Sequence, residues 1–269
     1  MKHLCAAIEL SRASYYRHRC APQPLPECMA LRDAMQKIAV QFPAYGYRRI
    51  RQELKRRGYR ANHKRVLRLM REDNLLCLRR KAFLRTTDSG HPFPVFANLA
   101  AMLVASGINQ LWVADITYIR LRSEFVYLAV VLDAYSRRVV GWALGRTLQA
   151  ELALTALRMA VAERRPAAGL VHHSDRGVQY ACGTYTALLA EHGIRGSMSR
   201  VGNPYDNAFA ESFIKTLKCE EVYVHQYQTI EEAQARLQTF LEDVYNAKRL
   251  HSSLDYVPPD EFELKYSMR

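Results

Sequence analysis

The chain has 269 residues, 49% of them hydrophobic and 24% charged, which is ordinary globular material and enough for two domains, one with a sizeable core. Its formal net charge of +13 sits in residues 1–90, where 21 Lys and Arg face 7 Asp and Glu, while the remainder comes to −1; this basic end suits a polyanion, and nucleic acid better than a membrane. No stretch approaches the roughly 20 apolar residues of a membrane span, Glu9 interrupts the first apolar residues too early for a secretory signal, and six cysteines without a Cys-x-x-Cys pair argue against both a zinc ribbon and a disulfide framework, so a cytoplasmic protein is expected.

Residues 3–18 read as a short helix-turn-helix remnant with Ser11 and Ser14 as caps, and Pro22, Pro24 and Pro26 follow as a connector. Helical patterns cover 30–41, stopped by Pro43, and 47–57, ended by Gly58. A third helix is capped by Asn62 and turns Val66, Leu67, Leu69 and Met70 inward. These three helices make a helix-turn-helix, whose last helix offers Lys64, Arg65 and Arg68 to phosphates or base edges of a major groove. Arg79, Arg80, Lys81 and Arg85 form a basic tail. The expected division is a basic helical DNA-binding region at 1–85, a linker at 86–108 and a catalytic core at 109–269.

From residue 110 the period changes to that of strands, at 111–120, 125–132 and 138–144. Asp133 opens the turn between the last two and reads as a turn former that asparagine should replace. A helix at 151–164, a strand at 170–173, a helix at 184–192 and a strand at 194–198 complete an α/β, RNase H-like order: a mixed five-stranded sheet with flanking helices. After a loop at 199–205 containing Gly202 and Pro204, a helix places Asn207, Glu211, Lys215 and Lys218 on one stripe and Phe209, Phe213 and Leu217 on the opposite, core side. Thr229 and Glu232 make a capping box for a final helix reaching residue 245. From spacing alone, residues 246–259 read as a polar, irregular surface segment.

Three carboxylates stand out. Asp115 lies inside Trp112-Val113-Ala114-Asp115-Ile116-Thr117-Tyr118, a strand in whose middle a charge is costly unless something binds it. Asp175 follows the fourth strand, and Glu211 lies on a helix with thirty-five residues between the two. Singly, such an Asp is more often a turn former and such a Glu a solvated helix residue. Together they match the converging oxygen ligands of a two-metal phosphoryl-transfer site. Lys215 and Lys218 share the Glu211 stripe as phosphate contacts, with Asn207 beside them. No Ser, Tyr or Cys in these motifs has a partnered base, which argues against a covalent nucleophile.

The runs His173-Ser174-Asp175-Arg176-Gly177 and Gly202-Asn203-Pro204-Tyr205-Asp206-Asn207-Ala208 with Glu211 and Lys218, and Tyr245-Asn246 with Arg249, His251 and Pro258, resemble the transposases of bacterial insertion sequences of the IS-three group, second-frame product, which carry a retroviral-integrase catalytic core of DDE type. The resemblance covers nearly the whole chain. It implies that Asp115, Asp175 and Glu211 bind two Mg2+ or Mn2+ ions, that Lys218 contacts DNA near the transferred end, and that the tail at 246–259 packs on the core and touches DNA. It also implies metal-dependent strand cleavage and strand transfer on double-stranded DNA, element ends and target alike, by a homo-oligomer that acts alone or with an upstream-frame partner or fusion. Val201 departs from the pattern, since a basic residue is common there, and no His/Cys zinc module of retroviral type is present at the N-terminus. Two other readings stay open: a nuclease or resolvase that cuts without joining, and a DNA-binding regulator with a relic core, against which an intact unpaired carboxylate cluster argues.

Overall fold

A computed structural model describes residues 5, 11, 13–15, 26–77, 96–200 and 207–267. Most of the stretch at 3–18, the proline connector before residue 26, the basic tail from residue 79, the linker up to residue 95 and the loop with Val201, Gly202 and Pro204 lie outside the described residues. The chain divides into two compact units, Met1–Leu78 and Arg79–Arg269.

In the first unit, α1 (Pro26–Gln41), α2 (Tyr47–Arg56) and α3 (His63–Glu72) enclose Leu31, Met35, Ile38, Ile50, Leu54, Val66, Leu69 and Met70. Full burial of each large aliphatic side chain contributes roughly 1.5–3 kcal/mol before entropy is counted. α2 ends in a Schellman motif: Gly58, at φ +86°, donates to the Lys55 carbonyl and Tyr59 donates to that of Leu54. Asn62 then caps α3, its Oδ1 accepting from the Arg65 N–H at 2.8 Å. Asn74 repeats the device at φ +54°, with Leu75 N–H on the Met70 carbonyl. Further upstream, Ser11 Oγ accepts the Ser14 N–H at 3.0 Å, so of the two serines Ser11 is the cap.

The second unit is built on a five-stranded sheet of order β3-β2-β1-β4-β5. Its strands are β1 (Leu111–Arg120), β2 (Phe125–Asp133), β3 (Val139–Gly145), β4 (Val171–Ser174) and β5 (Arg195–Met198). The first three form an antiparallel meander, and β4 and β5 add in parallel, as three strands followed by alternating helix and strand require. One face packs α4 (Ala150–Arg164), α5 (Val178–Ala181) and α6 (Gly183–Glu191) around Trp112, Val131, Leu157 and Tyr185. The other carries α7 (Ala208–Leu217) and α8 (Ile230–Thr239) around Val113, Val130, Phe213 and Leu237. α4 lies so close to β3 that a Cβ on Gly141 would stand 2.2 Å from the Ala156 carbonyl oxygen. Residues 96–100, inside the expected linker range, are attached to the sheet edge: Leu99 N–H donates to Ser197 Oγ at 2.9 Å and the Phe96 ring covers Gly196.

Asp133 is fully buried and wired as a turn former. Its Oδ1 accepts from Tyr135 and Ser136 N–H, both at 2.9 Å, and its Oδ2 from Asn109 N–H at 2.6 Å. An amide nitrogen in place of either oxygen would face N–H donors, so Asp133→Asn is expected to lose at least one of these hydrogen bonds.

Thr229 Oγ1 caps α8 through Glu232 N–H at 3.2 Å, but Glu232 returns to the N–H of Gln228 rather than to that of Thr229. α7 and α8 each run on into a π-helical turn, Lys218–Val222 and Phe240–Asn246. The segment after Asn246 is not the surface tail that spacing alone suggests; it packs on the core, as the resemblance implies. Asn246 uses both ends of its amide on Val139, Oδ1 accepting the N–H and Nδ2 donating to the carbonyl, each at 3.0 Å. Arg249, 5% exposed, forks onto the Glu220 carboxylate at 2.8 and 2.9 Å, and the buried His251 meets the Tyr245 ring edge-on. A further helix, α9 (Pro259–Ser267), is held by Arg138 to Asp260 at 2.7 Å and Arg164 to Glu263 at 2.8 Å.

The Arg249–Glu220 fork therefore fastens this segment to the turn that continues α7. Arg249→Ala leaves Glu220 largely buried without its cation and should lower unfolding stability by about 3–5 kcal/mol in urea denaturation. A loss under about 1 kcal/mol would show that the fork is dispensable.

Candidate active site

β1 and β4 run parallel with Leu111, Trp112 and Val113 opposite Val171, His172 and His173. Asp115 and Asp175 each follow two residues beyond the end of this ladder, and the Asp175 charge acts on the Asp115 carboxyl. Asp115 Oδ1 accepts from Ile116 N–H at 2.8 Å. Beyond the end of β4 the chain turns back, so that Gly177 N–H donates to Asp175 Oδ1 at 2.9 Å. A Cβ on Gly177 would stand 3.0 Å from that oxygen and 2.9 Å from Gln179 Oε1, so a larger residue would crowd these two side chains, while φ at −63° makes no demand for glycine.

Beneath Asp175 the strand is cross-linked by polar pairs. His173 holds Ser197 Oγ at 2.8 Å and Ser199 Oγ at 3.0 Å, while His172 Nε2 pairs with the Tyr185 hydroxyl at 3.0 Å. Burial, with His173 adding to it, pushes His172 down to about 3, which keeps its ring neutral.

Glu211 reaches the same region from the first turn of α7. The helix start is pinned by Asn207, whose Nδ2 donates at 3.1 Å to the carbonyl of Ala114, the residue before Asp115. Asn207 is 6% exposed, and its amide ties α7 to β1. Its Oδ1 has no hydrogen-bond partner among the described residues. Glu211 is exposed, as is Lys215, and Lys218 is half-buried. Phe209 also departs from expectation. It is 44% exposed with the Arg137 guanidinium 3.8 Å above its ring, and Ala210 takes the inward position with Phe213 and Leu217. The helix lies close to β1, and only a small side chain fits under its first turn.

The three carboxylates act on one another. Burial pushes Asp115 up to about 8, Asp175 and Glu211 add to the rise as like charges, and the Ile116 N–H and Lys218 oppose it. Burial also raises Glu211. The Lys218 ammonium sits 4.3 Å from the Tyr118 ring centroid; burial lowers its pKa and the facing Asp115 pulls it back up. Among the described residues no three His, Cys, Asp or Glu side chains stand close enough together to hold a metal ion in this conformation. The donor set is nevertheless all carboxylate oxygen around a disfavoured negative charge, which suits a hard divalent cation.

A cleft of about 140 Å³ opens beside Asp115 and Asp175, walled by Tyr118, Tyr127, Leu148 and Val178 with Gln179 and Tyr180. Gly177 belongs to the run that the sequence reading singled out, whereas Gln179 and Tyr180 were missed, since nothing in their spacing marks them. In the first unit, Lys64 and Arg68 are exposed on α3 and Arg65 is half-buried. Among the described residues no helix is long and apolar enough to cross a membrane.

Residues 105–204 and 192–259 match the Integrase core domain family, and residues 28–83 match the HTH-like domain family. The chain is 37% identical to the Insertion element IS600 uncharacterized 31 kDa protein of Shigella sonnei, over 98% of each chain. It is 39% identical to the Transposase InsF for insertion sequence IS3A of Escherichia coli strain K12, over 82% of this chain and 77% of that one. With the Transposase for insertion sequence element IS904 of Lactococcus lactis it shares 37% identity, over 83% and 88%.

The raised Asp115 pKa carries a pH signature. An unfolded Asp titrates near 3.9, so between about pH 4 and 8 the folded chain binds the extra proton, and stability falls as pH rises through that window. In metal-free thermal melts Asp115→Asn should gain on the wild type from pH 5 to 8, with the gap level above about pH 9. A gap independent of pH would show that Asp115 ionises normally.

Proposed function

Because the chain belongs to the insertion-sequence transposases of the IS3 group, which carry an integrase core domain and an HTH-like domain, we propose that Asp115, Asp175 and Glu211 are the carboxylates on which its DNA cleavage and strand transfer depend. The family activity is insertion-sequence transposition, a polynucleotidyl transfer on DNA. The reading of the site is supported above all by one observation: two carboxylates from elsewhere in the chain act on the Asp115 carboxyl in the middle of a sheet.

In this reading the three side chains hold magnesium or manganese, two ions per site. When bound, such a pair activates the attacking oxygen and stabilises the leaving oxygen of an in-line displacement. The residues do the rest. Asp115 must lose its proton to serve, and Lys218 beside it favours the ionised form. Asn207 keeps the helix start, and with it Glu211, against β1. Lys218, and Lys215 on the exposed side of α7, meet the phosphates of the element end. In the first step a water oxygen bonds to phosphorus and the 3′-oxygen leaves as a hydroxyl. In the second that hydroxyl attacks a target phosphodiester, so one P–O bond forms as another breaks and no enzyme-linked intermediate is needed.

The basic first unit holds the duplex, with Lys64, Arg65 and Arg68 of α3 as its contacts. Joining two ends to one target takes more than one active site, which favours a homo-oligomer in the synaptic complex, alone or fused to an upstream-frame product. The reaction takes place in the cytoplasm, where bacterial DNA lies.

Asp115→Asn, Asp175→Asn and Glu211→Gln should each lower both cleavage and joining by more than about 100-fold, in a gel assay with element ends, magnesium and a plasmid target, while duplex binding persists. Wild-type joining by Glu211→Gln would remove it from the site, and cleavage without joining by the unaltered chain would make it a nuclease. Replacing Lys64, Arg65 and Arg68 together by Ala should flatten the slope of log affinity against log salt by about 2–3. An unchanged slope would move the contact elsewhere.

A further inference from the structure

Two tyrosines lie side by side beneath the sheet, their rings edge to face with centroids 5.4 Å apart. Both are buried, but their hydroxyls fare differently. The Tyr185 hydroxyl has a partner in His172 at 3.0 Å. The Tyr180 hydroxyl, on a side chain 3% exposed, has none among the described residues. A buried O–H without an acceptor costs on the order of 1–3 kcal/mol, so its retention calls for a physical reason.

The surroundings supply one. Tyr180 lines the cleft that also contains Asp115 and Asp175, and both carboxylates act on its hydroxyl. Burial and those charges hold the phenol protonated, so what it offers is a donor. The neighbouring Gln179 amide is already committed, with Nε2 on the Leu148 carbonyl at 3.0 Å and Oε1 turned toward Gly177. We propose that the Tyr180 hydroxyl is a positioning donor for the Asp115–Asp175 pair, reaching a carboxylate oxygen directly or through one water and orienting the pair to receive a divalent cation. Tyr180 touches neither DNA nor cation in this role; it acts through the carboxylates. The proposal rests on the reading of Asp115 and Asp175 given above.

The test compares Tyr180→Phe, which keeps the ring and removes one oxygen, with Tyr185→Phe and with the wild type, all as the full chain. Two titrations with manganese are read: the rise of the melting midpoint, and the concentration giving half-maximal strand transfer. Loss of an orienting hydrogen bond behind metal ligands typically weakens affinity by about 10- to 100-fold. Tyr180→Phe should shift both half-points upward by that factor with an unchanged KM for the DNA end, while Tyr185→Phe lowers the metal-free melting temperature and leaves both half-points in place. An unchanged manganese requirement in Tyr180→Phe overturns the proposal whichever way its metal-free melting temperature moves, and so does an equal shift in Tyr185→Phe. Asp115→Asn run in parallel separates the two levels. If it joins DNA normally, the site reading has failed; if it is inactive and Tyr180→Phe matches the wild type, only the role of Tyr180 has failed.

Discussion

A sheet interior is a poor solvent for a charge, and Asp115 stands in one with the like charges of Asp175 and Glu211 acting on it. The second unit holds the three side chains in position regardless. Asp115 is fixed by the ladder to β2, opposite Val130, Asp175 by the turn onto Gly177, and Glu211 by a helix whose start is tied to the Ala114 carbonyl. Folding thus bears an electrostatic cost at the site, and the two apolar clusters on the faces of the sheet are what make it bearable.

Rigidity beneath the site has the same origin. β4 is only four residues long, yet both of its histidines have their side chains engaged sideways, His173 by two serine hydroxyls and His172 by Tyr185. A short strand with little ladder of its own is held in place by its side chains. The far end of α7 is treated likewise, since its π-helical continuation carries Glu220 into the fork of Arg249.

How much of this the sequence disclosed follows from how local each signal was. β1 has the bounds expected of it, because Trp, Val, Ile, Thr and Tyr in an unbroken run leave few alternatives. The three helices of the first unit were legible from Gly58 and Asn62, whose chemistry is confined to a few residues. α5 was not, being a single turn with no period to detect. The inward face of α7 was misjudged at Phe209, because the closeness of β1 that selects Ala210 is a fact about another part of the chain. The segment after Asn246 looked like surface for the same reason: its polar residues find their partners far away, 107 residues in the case of Asn246 and Val139. For α9 a signal was present in Pro259, Asp260 and Glu261 at its first turn, a proline and two acids where a helix favours them.

The constant offset between β1 and β4 bears on which changes of length such a chain can survive. Between Asp115 and Asp175 lie hairpin turns, a helix and several loops, and residues gained or lost in them are absorbed where they occur. A single residue inserted within β1 ahead of Asp115 is another matter: it moves the carboxylate one step along the strand, about 3.3 Å, and turns it to the opposite face of the sheet. A change of length in the connections thus leaves both aspartates where the sheet puts them, while one within β1 or β4 displaces an aspartate from the other.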